Sequence, residues 1–598
     1  MDHNPESVYE ARLTRFQADL AGLRRRDIGL GAAKLLIALA GLAFLYRVAV
    51  AGAGLPAFAA ALVLFLAASI WHGSVLREKK RLRALIEIQA GERKALRDLF
   101  PDAEDGAEYE DSDHPFASDF DLFGFHGLFH ALNRTATKPG RDRLAALLRD
   151  PGRRPLAEDI LARQAAVADL AGRLDLRHGL RLHGREMAAN ARRDPDLGAF
   201  LDDPFHYLNR PVSRILAVLL PVLTVGAAAG LFFGLPRFVL YAGLLVNMIV
   251  LLAAEKRRSR TYALVSKTHS VLRAYAGILE DIERTEFDSE RLRGLRDGLF
   301  RAGEPASQSI RRLAGLIGGL EFRTAQVVYL AVDWLVLWDI QVLIRLERWR
   351  REHAASVPGW FRAIAEFEAL SSLANHAFNH PDWAYPSFPD GPFQMTFTAA
   401  GNPLLPARGR VDNDFALDDR LRLALVTGPN MAGKSTFLKT IGMNLVLAYA
   451  GGPVCAHSLT MTPRRVAASL KVNDSLDRGL SLFHAELRRL KEILDPAQAG
   501  EPVFFLIDEM LKGTNAADRQ AGSLALLRQM AKLDTAGLVA THDLQLAGLA
   551  GEFPDRARNY HFDGRVEGNE LLFDFILRPG PCRSFNALAL MRKMGIEV

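Results

Sequence analysis

Long apolar runs occupy two short stretches of this chain and predict membrane helices. The first pair covers Ile28–Tyr46 and Val48–Trp71, and the second covers Ile215–Leu235 and Phe238–Ala254. A helix needs about 20 apolar residues to cross a bilayer, and these runs lie within or close to that range. A short turn that contains glycine or proline divides each pair, as in a helical hairpin. The pattern predicts two transmembrane hairpins, at residues 28–72 and 215–254.

Basic residues beside the apolar runs indicate how the hairpins are oriented. They precede the first run at Arg24–Arg26, follow the second within Arg77–Arg81 and follow the fourth within Lys256–Arg260. Because basic residues accumulate on the cytoplasmic side of membrane proteins, the N-terminus and all long segments are predicted to be cytoplasmic. The alternative is two hairpins buried in a soluble core. Lys34 makes Ile28–Tyr46 the weakest candidate for a span.

The remaining sequence separates into helical segments and an α/β domain. Periodic leucines predict helices before residue 380, and short apolar runs alternating with helices predict a parallel α/β sheet after the prolines at 381–392. Val327–Leu346 is apolar, but Asp333 and Asp339 favour a buried amphipathic helix over a fifth span. The predicted order is an N-terminal cytoplasmic helix (1–27), a transmembrane hairpin (28–72), a charged helix with an acidic linker (73–114), a helical core (115–210), a second transmembrane hairpin (215–254), a helical lever or connector (255–380) and an α/β domain (390–598).

The start of the α/β domain carries a phosphate-binding motif. Leu421–Thr427 reads as a buried strand, and a helical pattern covers Thr436–Ala450. The residues between them match G-x-x-x-x-G-K-[ST], in the strand–loop–helix context that this motif requires. Its backbone N–H groups and helix N-terminus attract phosphates, Lys434 reaches the β- and γ-phosphates, and Ser435 ligates Mg²⁺. The predicted ATP-binding residues are Gly428, Pro429, Asn430, Met431, Ala432, Gly433, Lys434, Ser435 and Thr436.

Two further strands end in residues suited to phosphate hydrolysis. Val503–Glu509 ends in two carboxylates, of which Asp508 is predicted to hold Mg²⁺ and Glu509 to orient or deprotonate the attacking water. Thr535–Thr541 is followed by His542, which can contact the γ-phosphate. The predicted catalytic residues are therefore Glu509, His542 and Lys434. Ser435 and Asp508 are the predicted metal ligands.

These motifs together resemble the MutS family of mismatch-repair ATPases, a branch of the ABC-type ATPases. GPNMAGKST (428–436), LIDEMLKGT (506–514) and VATHD (539–543) are similar, in this order, to three motifs of the family. Residues 473–487 resemble the family segment that serves the opposite subunit. The resemblance therefore implies a homodimer through the ATPase domains, in which Ser481 touches the γ-phosphate bound by its partner. Upstream, residues 128–151 resemble the family's helical core domain.

The resemblance implies a multidomain fold: helical membrane hairpins and an α-helical core and lever, followed by a C-terminal α/β P-loop (ABC-type) ATPase domain. The chain departs from the family pattern at Ala432, Leu482 and Asn402, which stand where the family has Gly, Thr and His. No segment resembles the domain that reads a mismatch, and an apolar hairpin divides the helical core. The closest likeness is a membrane-anchored MutS-like subgroup without that domain. The implied activity is Mg²⁺-dependent hydrolysis of ATP to ADP and phosphate.

Duplex DNA is a candidate partner because of the family resemblance and a stretch rich in arginine. The net charge of +6 over 598 residues adds little. The stretch could instead face anionic lipid or solvent. Its basic residues are Arg134, Lys138, Arg141, Arg143, Arg149, Arg153, Arg154, Arg173, Arg177, Arg181, Arg185, Arg192 and Arg193.

Two other functions fit parts of the pattern. Four spans beside an ABC-type domain suggest a transport ATPase, or an ATPase that drives a conformational change in a membrane protein without DNA. The sequence has no LSGGQ-type signature, and its spans lack the polar interior of a transport pathway. A nucleotide-gated scaffold without catalysis is the third alternative, which the intact Lys434, Asp508 and Glu509 disfavour.

Overall fold

The chain divides into two compact units. The computed structural model describes residues 4–150, 153, 155–190, 197–265, 268–321, 326–471, 482–567 and 570–582. The first unit comprises Met1–Arg134, Arg141–Gly172 and Ala369–Val598, and the second comprises Thr135–Gly140 and Arg173–Glu368. Each unit contains one of the apolar hairpins, and the α/β domain lies in the first.

Helices account for most of the structure before residue 380. The helices, in chain order, are α1 (Pro5–Ala51), α2 (Leu55–Asp98), α3 (Leu128–Leu132), α4 (Lys138–Arg149), α5 (Ala157–Ala171), α6 (Leu174–Asn190), α7 (Leu197–Asp202), α8 (Pro211–Gly230), α9 (Arg237–Val265), α10 (His269–Arg284), α11 (Glu290–Asp297), α12 (Ala306–Glu321), α13 (Gln326–Val336), α14 (Trp338–His353), α15 (Val357–Asn379), α16 (Lys434–Ala450), α17 (Leu482–Gln498), α18 (Ala516–Met530) and α19 (Leu549–Glu552).

Strands are concentrated in the C-terminal part of the first unit. They are β1 (Phe300–Arg301), β2 (Glu304–Pro305), β3 (Gln394–Ala400), β4 (Asn413–Asp418), β5 (Leu423–Thr427), β6 (Ser458–Met461), β7 (Arg465–Ser469), β8 (Val503–Asp508), β9 (Thr535–Ala540), β10 (Ala557–His561), β11 (Gly564–Glu567), β12 (Glu570–Phe573) and β13 (Arg578–Pro579). The main sheet has the order β13-β10-β5-β9-β8-β7. It is parallel except for β13 at its edge, so it agrees with the predicted parallel sheet. A separate antiparallel sheet, β4-β3-β6, was not predicted from the sequence.

The first apolar hairpin consists of two very long helices. The side chain of Asn4 caps the start of α1 by accepting a hydrogen bond from the Glu6 N–H. Gly52 ends α1 in the left-handed conformation (φ 63°), which glycine adopts without strain. α2 then runs back along α1 and continues to Asp98. The short turn predicted for the first hairpin therefore agrees with the structure, and both helices extend well beyond the apolar runs.

Four helices among the described residues are long and apolar enough to cross a membrane. They are α1, α2, α8 and α9, and the most apolar windows of these helices are only 0%, 6%, 17% and 11% buried. Large apolar side chains such as Leu36, Ile70, Val222 and Leu252 are exposed instead. Burial in a soluble core, the alternative left open by the sequence, does not describe these helices. Apolar patches of this extent mark contact with a membrane or another protein.

The main sheet is buried by helices on both faces, as expected for parallel strands. All residues of β5 and β9 are buried, and α16 is buried around most of its circumference. On one face, Leu425 and Phe505 pack with Leu490 and Leu527 of α17 and α18. This core fixes the ends of β5, β8 and β9, where the predicted nucleotide-binding residues follow.

A buried carboxylate joins α2 to the helix that precedes the α/β domain. Glu92 is 0% exposed. Its Oε1 accepts a hydrogen bond from Arg134 Nε at 2.7 Å, and its Oε2 accepts one from Asn375 Nδ2 at 2.9 Å. The Tyr9 hydroxyl of α1 donates to Asn379 Oδ1, which lies one helical turn after Asn375. These contacts connect both helices of the first hairpin to α15 within the first unit.

The second unit is helical apart from the short β1–β2 pair. α10 packs between α6 and α12, and its buried face includes Leu272, Ile278 and Ile282. The predicted single helix over Val327–Leu346 is divided into α13 and α14 by Leu337, which has a left-handed φ of 51°. Asp333 and Asp339 are buried, as predicted, and both carboxylates pair with Arg258 of α9.

Candidate nucleotide-binding site

The phosphate-binding motif forms the connection between β5 and α16. Gly433 has φ 101°, a conformation that residues with a Cβ atom rarely adopt. A Cβ on Gly428 would lie 2.7 Å from the carbonyl oxygen of Phe562, too close for any side chain. Both glycines are therefore required by the backbone, as the motif predicts. The loop leads directly into the N-terminus of a 17-residue helix, whose unpaired N–H groups and dipole favour an anion.

Lys434 is held inside the loop that it is predicted to serve. Its side chain is almost fully buried. Nζ donates hydrogen bonds to the carbonyl oxygens of Gly428 at 2.8 Å and Pro429 at 3.0 Å. Burial lowers the pKa of the ammonium group, and the nearby carboxylates of Asp508 and Glu509 partly oppose this change. The cation is thus positioned at the loop and directed toward its interior.

Ser435 and Asp508 are brought together, as their predicted shared role requires. Asp508 ends β8, and it lines the same cavity as Ser435. Burial raises the pKa of Asp508, although the Ser435 hydroxyl and the Lys512 cation act in the opposite direction. A hydroxyl and a carboxylate are hard oxygen donors of the type that Mg²⁺ prefers. The two residues fit the metal predicted from the sequence.

Glu509 and His542 form a polar pair beside the predicted metal ligands. His542 Nδ1 lies 3.0 Å from Glu509 Oε1, and Lys512 Nζ lies 3.4 Å from Oε2. Burial raises the pKa of Glu509, but the His542 hydrogen bond and the Lys512 charge outweigh it and hold the pKa below its ordinary value. Glu509 has a left-handed φ of 54°, an uncommon conformation for a non-glycine residue that is enriched at functional sites. It is thus held as a carboxylate.

A cavity of about 500 Å³ connects these residues. Of the predicted nucleotide-binding residues, Asn430, Met431, Gly433, Lys434, Ser435 and Thr436 line it, and Asp508 and Glu509 line it as well. The lining of the cavity does not include three residues of the loop, Gly428, Pro429 and Ala432. His542 contacts Glu509 but does not itself line the cavity. The predicted trans-acting Ser481 lies outside the described residues.

The other end of the cavity is formed by residues that the sequence did not single out. Arg410, Asn413 and Phe575 line it. The Asn413 side chain donates to the Phe575 carbonyl oxygen at 3.0 Å and accepts from the Leu577 N–H at 2.7 Å. These contacts tie the loop after β12 to β4. Their sequence separation exceeds 160 residues, and no local motif marks them.

Glu486 is a further residue near the site that the sequence did not single out. It is 2% exposed, and its carboxylate accepts the backbone N–H groups of Lys512 and Gly513, each at 3.1 Å. These residues belong to the loop that follows Glu509. The available signal was an acidic residue on the apolar side of α17, within the segment that resembles a MutS motif. Glu486 thereby fixes the loop that carries Lys512 toward Glu509.

Comparison with known proteins identifies the domain that carries this site. Residues 424–596 match the family model of MutS domain V. The C-terminal domain is a MutS domain V. MutS domain V is an ATPase domain.

A curated relative supports the same assignment over the same part of the chain. The chain is similar to Endonuclease MutS2 of Thermus thermophilus, with 36% identity over 199 residues. This match covers 33% of the chain and 26% of the relative, so the chain spans about a quarter of the relative's length. The match lies in the C-terminal third of the chain, which contains the MutS domain V, and it does not extend to the apolar hairpins.

Several residues of the arginine-rich stretch are engaged inside the protein. Arg134 binds the buried Glu92, and Arg177 is 1% exposed. Arg141 Nε lies 2.6 Å from Glu104, and Arg173 lies 3.1 Å from Asp288. Residues 154, 192 and 193 lie outside the described residues. These four arginines stabilise the fold of their own units, so the DNA interpretation depends on the other basic residues of the stretch.

Proposed function

We propose that this protein is a membrane-anchored MutS-like ATPase that binds and hydrolyses ATP between the nucleotide domains of a homodimer. The observation that carries the proposal is the shared cavity of Lys434, Ser435, Asp508 and Glu509 at the ends of β5 and β8. A non-catalytic scaffold would not require a carboxylate held in its ionised form beside the phosphate loop.

Each residue of the cavity has a defined part in the proposed reaction. The loop N–H groups and Lys434 bind the phosphates. Ser435 and Asp508 would hold Mg²⁺, which would neutralise charge on the phosphate oxygens when bound. Glu509 accepts a proton from water while the water oxygen forms a bond to the γ-phosphorus. The bond from that phosphorus to the bridging oxygen breaks, and ADP leaves with the electron pair. His542 orients Glu509 through its hydrogen bond.

The dimer follows from the resemblance of residues 473–487 to a segment that acts across the interface. MutS ATPases generally dimerise. Ser481 of a second copy would complete the γ-phosphate site. ATP binding would then close the dimer and hydrolysis would open it, with the helices at 259–380 carrying the motion toward the membrane segments.

Fractionation of cell membranes tests the proposed anchor. The chain is expected to stay in the membrane fraction in high salt and at alkaline pH, and to be released by detergent, because the exposed apolar faces of α8 and α9 would lie against lipid. A variant in which two exposed apolar residues of each hairpin become Arg should release a large fraction, since each charge costs about 2.5–3.5 kcal/mol at the centre of a bilayer. The four positions are Leu36, Ile70, Ile249 and Leu252.

The control for this prediction replaces two exposed arginines elsewhere in the second unit. Arg293 and Arg312 changed to Leu should leave the membrane fraction unchanged. Release of the wild-type chain by salt or alkaline treatment alone would contradict a spanning anchor and would favour a peripheral association.

The effect of duplex DNA on ATP turnover distinguishes a DNA-responsive enzyme from one that acts without DNA. ATP turnover in detergent should rise when duplex DNA is added at low salt and should lose this stimulation at moderate salt, because contacts to phosphates release counterions. Turnover is measured as released phosphate, with dextran sulfate as a polyanion control. Turnover that is indifferent to DNA would contradict the DNA coupling and leave the ATPase in place. The alternative function, an ATPase that drives transport or rearranges a membrane protein, would then gain support.

A further inference from the structure

α13 is an apolar helix that is too short to cross a membrane but packs on the second hairpin. It has 11 residues. At about 1.5 Å per residue it is about 17 Å long, roughly half of the ~30 Å hydrocarbon core of a bilayer. Within the second unit it contacts both α8 and α9. Its position is therefore defined by helices that are themselves candidates for spans.

The C-terminal end of α13 is held by a buried polar residue in the middle of the apolar part of α9. Asn247 is 0% exposed, and its Nδ2 donates to the carbonyl oxygens of Trp334 at 2.7 Å and Leu335 at 3.4 Å. Carbonyl groups at a helix end lack helical partners, and such groups are costly in hydrocarbon. Asn247 lies ten residues after Arg237, the first residue of α9. That separation is about 15 Å along the helix, close to the depth of a bilayer midplane.

The charged residues near α13 are turned inward and paired. Arg258 Nη2 donates to Asp333 at 2.8 Å and to Asp339 at 2.7 Å, and both carboxylates are buried. Tyr329, also buried, donates its hydroxyl to Asp339 at 2.6 Å. Arg258 additionally reaches back to the Leu251 carbonyl oxygen at 3.4 Å. Polar groups paired in the interior are typical of membrane-embedded helices.

The opposite face of α13 is apolar and exposed. Leu330 is 48% exposed and Trp334 is 43% exposed, and they lie one helical turn apart. The hairpin on which α13 packs exposes apolar side chains at comparable levels, including Ile249 and Leu252 of α9 and Val218 of α8. α13 therefore adds to the apolar surface of the hairpin, while its Tyr329 and Asp333 are buried.

We propose that α13 is inserted into the bilayer as a half-membrane helix, with lipid acyl chains against Leu330 and Trp334. Lipid is the occupant that fits this face. The face is apolar, the paired polar groups lie on the inner side of α13, and the apolar surface continues that of a candidate spanning hairpin. Asn247 and the Arg258 cluster would hold the inserted helix to α9. The inference rests on the membrane anchor proposed above.

Spin labels at single introduced cysteines in proteoliposomes of phosphatidylcholine and phosphatidylglycerol test the proposal. The variants are L330C and W334C on α13, L252C on α9 and R293C on the exposed side of α11. The native Cys455 and Cys582 are buried, and the wild-type chain measures any labelling of them. Labels at 330 and 334 should collide with oxygen, which concentrates in lipid, and should collide several-fold less than the label at 293 with a water-soluble nickel chelate.

The three positions distinguish failure of this inference from failure of the anchor. Labels at 330 and 334 that respond to the nickel chelate as the label at 293 does, while the label at 252 remains in lipid, would overturn the insertion of α13 alone. A label at 252 that also responds to nickel would overturn the anchor. Labels at 330 and 334 that neither reagent reaches would replace lipid by a protein contact and also overturn the proposal.

Discussion

Changing Glu509 to Gln is expected to lower ATP turnover by about 10²–10⁴-fold, the usual contribution of a positioned general base. Glutamine keeps the size of the side chain and can still contact His542, but it cannot accept a proton from water. ATP binding should be retained, because Lys434, Ser435 and the loop N–H groups are unchanged. The measurements are released phosphate for turnover and a fluorescent ATP analogue for binding.

The matched control for this variant lies at the opposite end of the same strand. Glu501 precedes β8 and pairs with Arg465 at 2.9 Å, away from the cavity. Changing Glu501 to Gln should leave turnover close to that of the wild type. Normal hydrolysis by the Glu509 variant would remove Glu509 from the proposed mechanism, whereas loss of ATP binding would indicate that it holds the nucleotide or the loop instead.

The arrangement of the predicted nucleotide-binding residues could be anticipated because the sequence signals for it are local. A buried strand, two glycines and the Lys434–Ser435 pair fall within about fifteen residues, and their order along the chain specifies the geometry that they adopt. The predicted strands before Gly428 and Glu509 differ from β5 and β8 by two residues at most. The parallel sheet then brings the ends of β5 and β8 to one edge.

Other features could not be predicted because their partners are distant in sequence. β3 and β4 alternate buried and exposed residues. β3 pairs with β4 on one side and with β6 on the other, and β5, the phosphate-binding loop and α16 separate β3 from β6 along the chain. Arg134 was interpreted as a candidate DNA contact, but its partner Glu92 lies 42 residues earlier. Asp333 and Asp339 indicated burial correctly. The break at Leu337 between them was not indicated, and the residues around it contact Arg258 and Asn247, which lie about 75–90 residues earlier.

Glu92 is the position at which a single change should most weaken the first unit. Changing Glu92 to Gln leaves the Arg134 guanidinium buried without its carboxylate, and loss of one partner of a buried pair costs about 3–5 kcal/mol. The unfolding temperature of the detergent-solubilised chain, followed by intrinsic fluorescence, should fall by several degrees. The exposed Glu78 of the same helix pairs with Arg81 at 3.2 Å, and changing it to Gln should have almost no effect.

A double variant distinguishes the charge from the shape of this site. Changing Glu92 and Arg134 together to Met removes both charges, and replacing a buried pair by apolar residues is often neutral. The double variant should therefore unfold at a higher temperature than the Glu92→Gln variant, although only the double variant removes the acceptor of Asn375. A Glu92→Gln variant as stable as the Glu78→Gln control would contradict the role of Glu92. Because Glu92 joins α2 to the helix that precedes the MutS domain V, its loss should also lower ATP turnover when Glu509 and Lys434 are intact.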